Sequence, residues 1–127
     1  MVHIGNDILR IERIKDTIEK QGDTFLKRIF SEDEIKYCES KNISKYQSYA
    51  ARFCAKEAVY KALSQNFPKN FDWKDIEVRK MESGKPFISF NNSLDDLTKV
   101  LESHDLSLSH EGEYAIADFV CSIKEER

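Results

Sequence analysis

From Ser44 to Leu63 the chain contains neither glycine nor proline, and any fold must be built around the rod this segment makes. Tyr46, Tyr49, Ala50, Phe53, Cys54 and Ala58 recur along it at threes and fours, the spacing of a helix with one buried face. Ser44 and Gln47 stand three apart at its start, the pattern of a capping box. A helix of about 20 residues is about 30 Å long, the width of a small domain, so the other elements have to pack around it.

The flanking sequence predicts what those elements are. Val2 to Ile8 reads as a short strand interrupted at Gly5 and Asn6 and leading into a loop. Ile11, Ile14 and Ile18 follow at helical spacing, with Gly22 suited to the position just past a helix end. A second helical stretch covers Thr24 to Phe30, and Ser31-Glu32-Asp33-Glu34 is a capping box opening a third. After the loop at residues 65–70, Asp75 to Met81 alternates, Glu82 to Pro86 makes a turn, and Phe87 to Phe90 returns as a strand. Ser93 opens a short helix carrying Leu94, Leu97, Val100 and Leu101. Strands at Leu106–Ser109 and Tyr114–Ile123 follow, joined through Gly112, and Lys124 to Arg127 reads as a frayed polar tail. Helices early and hairpins late give an α+β domain, a long central helix on an antiparallel sheet, with residues 1–127 as a single domain.

Composition narrows the chemistry. At 127 residues with 14 aromatics (8 Phe, 5 Tyr, 1 Trp) the chain can bury a core of its own. No apolar run approaches the length of a membrane helix, and the opening residues lack a secretion signal, so the expected compartment is the cytoplasm. Cys38, Cys54 and Cys121 form no Cys-x-x-Cys pair and read as three reduced thiols rather than a zinc site. The net charge of −3 and a pI near 5.7 argue against nucleic acid as partner. Residues 1–70 nevertheless carry 13 Lys and Arg against 10 Asp and Glu, and residues 71–127 carry 7 against 13. The basic half leaves room for an acidic or phosphorylated partner. A Walker motif and a G-x-G-x-x-G loop are both missing from the sequence.

Three acid–base features stand out: Asp7 beside Gly5, Glu57 with Lys61 four residues on, and His110 at a strand end. Each also has a plain structural reading. Glu57 and Lys61 form the favoured i,i+4 ion pair on a helix surface, Asp7 suits a helix cap or turn, and His110 suits a turn. Spacing alone does not make a site of them.

Together, however, they fall into one pattern. Ile4-Gly5-Asn6-Asp7-Ile8 with Ile11-Glu12-Arg13-Ile14, and Arg52-Phe53-Cys54-Ala55-Lys56-Glu57-Ala58-Val59-Tyr60-Lys61-Ala62, resemble two signatures of the holo-acyl-carrier-protein synthases. These are small 4′-phosphopantetheinyl transferases. Asp75-Ile76-Glu77-Val78, Gly84-Lys85-Pro86, Ser107-Leu108-Ser109-His110 and Glu113-Tyr114-Ala115-Ile116-Ala117 follow in the family's order, so the resemblance spans essentially the whole chain. Cys54 stands where the family usually has alanine, and Ser64 where glycine is commoner.

The resemblance implies transfer of the 4′-phosphopantetheine group of coenzyme A, the co-substrate, to a serine of apo acyl carrier protein. Adenosine 3′,5′-bisphosphate leaves. It implies Mg²⁺, with Mn²⁺ as the alternative cation, held by Asp7 and Glu57, and Lys61 facing the same phosphates. Arg52, Lys85, Pro86 and His110 fall on the nucleotide side. The serine proton goes either to a cation-activated water or to His110. Arg13 matches the motif that docks the acidic carrier protein, and Lys20, Lys27 and Arg28 extend that patch. The family's small members are homotrimers with active sites between subunits, and the same is expected here. The alternative is a non-catalytic module of the same fold, binding coenzyme A or another phosphorylated ligand. It would call for loss of Asp7, Glu57 or Lys61, and all three are present.

Overall fold

The computed structural model describes residues 1–125; Glu126 and Arg127 of the expected polar tail lie outside the described residues. In chain order the elements are β1 (Val2–Arg10), α1 (Ile11–Gln21), α2 (Asp23–Ile29), α3 (Glu32–Glu39) and α4 (Lys45–Leu63). Then come β2 (Ile76–Lys80), β3 (Pro86–Phe90), α5 (Asp95–Val100), β4 (Leu101–Glu111) and β5 (Tyr114–Ile123), with short 3₁₀ turns between. Two antiparallel sheets result, one ordered β1-β5-β4 and the other the β2-β3 hairpin. The architecture is the expected α+β arrangement of helices on antiparallel sheet.

The central helix differs from its sequence reading in two ways. It is buried nearly all round, with Arg52, Ala55, Lys56, Val59 and Leu63 inside as well as Tyr49, Ala50, Cys54 and Ala58. One face meets the three-stranded sheet and another meets α3 and the hairpin, so a single apolar stripe cannot describe it. Ser44 also makes no side-chain cap bond. A 3₁₀ turn at Asn42–Ser44 runs straight into the helix and leaves Ser44 with φ −88° and ψ 7°, outside the extended conformation that aims a capping oxygen at the helix amides. At α3 the conformation is extended and the box forms in both directions between Ser31 and Glu34.

Strand β1 runs unbroken through Gly5 and Asn6, so Asp7 lies within the strand rather than in a loop beyond it. Its continuous pairing with β5, from Val2↔Ser122 to Arg10↔Tyr114, carries it past the glycine. Strand β4 is likewise longer than its apolar core, because pairing with β5 extends it from Leu106–Ser109 to Leu101–Glu111 and claims Leu101 from the preceding helix. Helix α1 ends where expected: Gly22 adopts φ +57° and its N–H reaches the Ile18 carbonyl at 2.7 Å.

What positions the site is the contact between α4 and the sheet's inner face. Ala50, Cys54, Ala58 and Ala62 repeat every fourth residue along the helix, and Gly5, Ala115 and Ala117 are the small residues of the facing strands. Small against small lets the backbones come close, and the Cys54 thiol reaches the Ala115 carbonyl at 3.5 Å. At Gly5 the approach is closest: a Cβ there would collide with the Ala58 carbonyl and the Ala62 amide nitrogen. Both are backbone atoms of a buried helix and cannot swing aside. Gly5→Ala is therefore expected to cost about 1–3 kcal/mol through overpacking, read as a lower thermal unfolding midpoint. An unchanged midpoint would show that strand and helix separate freely at this point.

Candidate active site

Asp7 lies two residues beyond Gly5 and so points to the same, helix-facing side of β1. Lys61 extends from the last turn of α4 and donates to Asp7 Oδ1 at 2.9 Å and to the Asn6 carbonyl at 3.0 Å. Its partner is thus the strand, not the i,i+4 neighbour Glu57, because the close approach at Gly5 sets the Asp7 carboxylate within reach. Glu57, half-buried one turn earlier, is drawn into the same group. Burial first, and then the Asp7 charge, hold its carboxyl above the ordinary glutamate range, with Lys61 opposing. Two carboxylates from segments fifty residues apart in sequence therefore converge under a single ammonium.

Cys54 backs this group from inside the core. Burial, and then Asp7, push its thiol up to about 12, so it stays protonated and is no nucleophile. Ser64 replaces the helix-ending glycine without strain, since a 3₁₀ turn over Ser64–Asn66 continues the α4 backbone at φ −52° and ψ −35°.

On the opposite flank of α4 lies a cleft of about 280 Å³ lined by Arg52, Tyr37, Lys80, Gly84, Pro86 and His110, among others. Arg52 is 5% exposed, its Nε has no partner among the described residues, and its guanidinium carbon sits 4.2 Å from the centre of the Tyr37 ring. Lys80 donates to the Tyr37 hydroxyl, and the ammoniums of Lys80 and Lys41 each lie 4.7 Å from the same ring centre. Despite burial these cations hold the phenol below its usual range, first through the Lys80 hydrogen bond. The cleft is thus a concentration of positive charge around one aromatic ring, a setting for an anion.

The structure thereby sorts the sequence-predicted residues into groups. Asp7, Glu57 and Lys61 are together at one place; Arg52, Pro86 and His110 line the cleft at another. Lys85 turns away from the cleft and pairs with Asp105 on β4 at 2.7 Å. Arg13 is exposed on α1, as are Lys20 on α1 and Lys27 and Arg28 on α2. Tyr37 and Lys80 were not singled out from the sequence. Neither sits in a motif, and only the packing of α3 and the hairpin on α4 brings them to Arg52.

Comparison with known proteins places this arrangement. The family model described as the 4′-phosphopantetheinyl transferase superfamily matches residues 3–123. The chain belongs to this superfamily. It is 42% identical over 122 residues to a holo-[acyl-carrier-protein] synthase of Ruminiclostridium cellulolyticum, covering 94% of this chain and 91% of the relative. Among solved structures, a Helicobacter pylori holo-[acyl-carrier-protein] synthase in complex with coenzyme A is 34% identical with a TM-score of 0.79, over 94% of this chain and 99% of that one. An ACPS–CoA complex from Chronobacterium ammoniagenes matches with a TM-score of 0.83 at 25% identity, over 98% and 99% of the two chains. The superfamily's transferase fold and this chain's elements therefore agree from end to end.

Proposed function

We propose that Asp7, Glu57 and Lys61 carry out the family's reaction at the end of α4, while the Arg52–His110 cleft holds the nucleotide. The reaction is the coenzyme A-dependent transfer of 4′-phosphopantetheine to a serine of apo acyl carrier protein. The observation carrying the reading is the convergence of Asp7 and Glu57 under one lysine. The serine hydroxyl gives up its proton to water or to His110, its oxygen bonds to the phosphorus bearing pantetheine, the pyrophosphate P–O bond breaks, and adenosine 3′,5′-bisphosphate departs with the electron pair. Negative charge therefore grows on the leaving phosphate. Lys61, half-exposed and tethered only at Asp7 and Asn6, offers an ammonium to that charge.

The donor chemistry suits a hard divalent cation. Among the described residues no third His, Cys, Asp or Glu joins the two carboxylates, which matches the way Mg²⁺ binds through one or two carboxylates plus waters and substrate phosphates. Mn²⁺ prefers the same oxygen donors. Once bound, the cation neutralises pyrophosphate charge. The cationic cleft supplies the complementary hold on the nucleotide phosphates, with Pro86 and Gly84 shaping its wall. Lys85 joins the nucleotide only by exchanging Asp105 for it. His110 stands on this side too, among the nucleotide contacts.

Two features support a larger assembly. The outer face of the β1-β5-β4 sheet carries Val2, Ile4 and Ile8 at 69%, 70% and 61% exposure, with Val120 on β5 across from Ile4 and Tyr114 across from Arg10. Bare apolar faces of this kind mark contact surfaces. The partner that fits is a further copy of the chain, as a homotrimer, since a 280 Å³ cleft is small for all of coenzyme A and a neighbour would enlarge it. The acidic carrier protein is matched by Arg13 and Lys20 on α1, continued by Lys27 and Arg28 on α2. Helix α1 also carries Glu12, Asp16 and Glu19, so the attraction rests on the basic residues taken together with α2 and not on the net charge of α1.

Intact-mass spectrometry of apo acyl carrier protein, incubated with the enzyme, coenzyme A and Mg²⁺, should show one phosphopantetheine addition. EDTA should abolish it, and Glu57→Ala should be inactive with an unchanged fold by circular dichroism. Full activity of that variant at ordinary Mg²⁺ would remove Glu57 from the metal site. Lys61→Ala should lower kcat by about 10²-fold, the scale of losing one group that meets developing charge, while the KM for coenzyme A moves little. A raised KM with kcat intact would make Lys61 a binding residue. Arg13→Glu should raise the carrier-protein KM at low salt and leave that for coenzyme A alone; equal effects on both would end its docking role.

A further inference from the structure

Lys56 stands beside Glu57 in the sequence but points the other way, into the core, at 1% exposure. An ammonium there must be matched donor for donor, and it is. Lys56 Nζ donates to Glu34 Oε1 at 2.8 Å, to the Trp73 carbonyl at 3.3 Å and to the Ile76 carbonyl. Glu34, 2% exposed, also accepts from the Ser31 amide at 2.9 Å and, through Oε2, from the Val78 amide at 2.9 Å. One ion pair thus ties the start of α3, the middle of α4 and strand β2 to a single point.

The charged wall of the cleft, Tyr37, Arg52 and Lys80, comes from the same three elements, one step along each. Tyr37 is three residues after Glu34 on α3, Arg52 is four before Lys56 on α4, and Lys80 is two after Val78 on β2. Three or four residues make one helical turn, so Tyr37 and Arg52 project to the same sides of their helices as Glu34 and Lys56, and Lys80 extends from the strand that the Val78 amide bond holds. Arg52, Lys80 and Lys41 repel one another around the Tyr37 ring. Among the described residues Arg52 has no carboxylate partner, only the Tyr37 ring and a long contact from Nη1 to the Ser48 carbonyl at 3.4 Å. Their spacing has to be imposed from below.

We propose that the buried Lys56–Glu34 pair is a positioning device for the nucleotide side of the site, fixing Arg52, Tyr37 and Lys80 as one fan of phosphate-binding groups. It acts on binding and leaves the Asp7–Glu57–Lys61 end alone, because there Lys61 is bonded to Asp7 and Asn6 of β1 instead. The inference rests on the assignment of this cleft to the nucleotide.

Removing one charge alone leaves its buried partner uncompensated and tends to unfold a protein, so the variants are Glu34→Asp, which keeps the charge but shortens its reach, and the double variant Glu34→Gln with Lys56→Met, which removes both charges. Each is measured by thermal unfolding, by calorimetric titration with adenosine 3′,5′-bisphosphate, and by steady-state transfer at saturating carrier protein. In the variants that fold, nucleotide affinity should fall and the KM for coenzyme A should rise by about tenfold or more, the value of one displaced charge-assisted hydrogen bond, with kcat within about threefold of wild type. Wild-type nucleotide affinity in a folded variant overturns the proposal. So does a loss of kcat that tracks the folded fraction at unchanged KM, which is the signature of a merely structural pair. If the double variant does not fold, Glu34→Asp decides by the same criteria. Arg52→Ala separates the two levels: nucleotide affinity unchanged there removes the cleft assignment, and the positioning role with it. Affinity lost in Arg52→Ala but kept in the Glu34 variants removes the positioning role alone.

Discussion

The backbone contact between β1 and α4 is the constraint on which the site depends. Gly5 has no side chain to hold the strand away, and the helix answers with Ala58 and Ala62, so two backbones meet where most proteins interpose side chains. The consequence lies two residues on. Asp7 is brought under the helix end, where Lys61 can bond to its carboxylate and to the neighbouring backbone carbonyl at once. A larger residue at position 5 would leave the same three functional groups in the sequence and spread them apart in space.

Helix α4 then divides its work by angle. At 3.6 residues per turn, Arg52 and Lys56 lie within about 40° of one another, Glu57 and Lys61 likewise, and the two pairs are about 140° apart around the axis. The first pair faces α3 and the hairpin; the second lies along the edge of the small-residue stripe that meets the sheet. A single unbroken helix from Lys45 to Leu63 is a good part for this purpose. It holds two charged groupings at a fixed separation without any loop between them, as a reaction needs when one end of a substrate is gripped and the other is broken.

Much of this was legible in residue order, and the parts that were not share a cause. The Ser31 capping box, the Gly22 helix end and the hairpin around Gly84 are local, and each formed as its own residues dictate. The Ser44 box has the same spacing, with Gln47 in the place of a glutamate, and failed because the preceding 3₁₀ turn, which opens with Asn42 at φ +53°, delivers the chain in the wrong conformation. Burial of Arg52 and Lys56 was invisible, since charged residues on a helix read as its wet side until Glu34, Tyr37 and the backbone carbonyls of Trp73 and Ile76 are known as partners. The candidate site was visible only as a combination of motifs. Spacing offered Glu57–Lys61 as an ordinary surface pair, and what separates them is the strand that arrives from more than fifty residues away.

A buried ion pair is a costly way to join three elements. Desolvating both charges offsets most of their attraction, and apolar side chains of similar volume commonly stabilise a core as well or better. What apolar contacts do not supply is direction. Leucines packed at this point would resist separation of α3, α4 and β2 but would allow each helix to turn a few degrees and the strand to slide. The pair instead bonds to backbone groups of Ile76 and Val78, which fixes the strand by its own carbonyl and amide, and to the Ser31 amide, which fixes α3 at its first turn. Ser31 Oγ carries the same restraint onward to Glu77 at 2.6 Å, and Asn91 Nδ2 reaches the other Glu77 oxygen at 3.2 Å. The polar network sets rotation and register, and the apolar layers on either side, where Phe30 packs on Tyr49 with ring centres 5.1 Å apart, supply the cohesion. Cohesion without register would keep the protein folded while allowing cations that repel one another to drift apart.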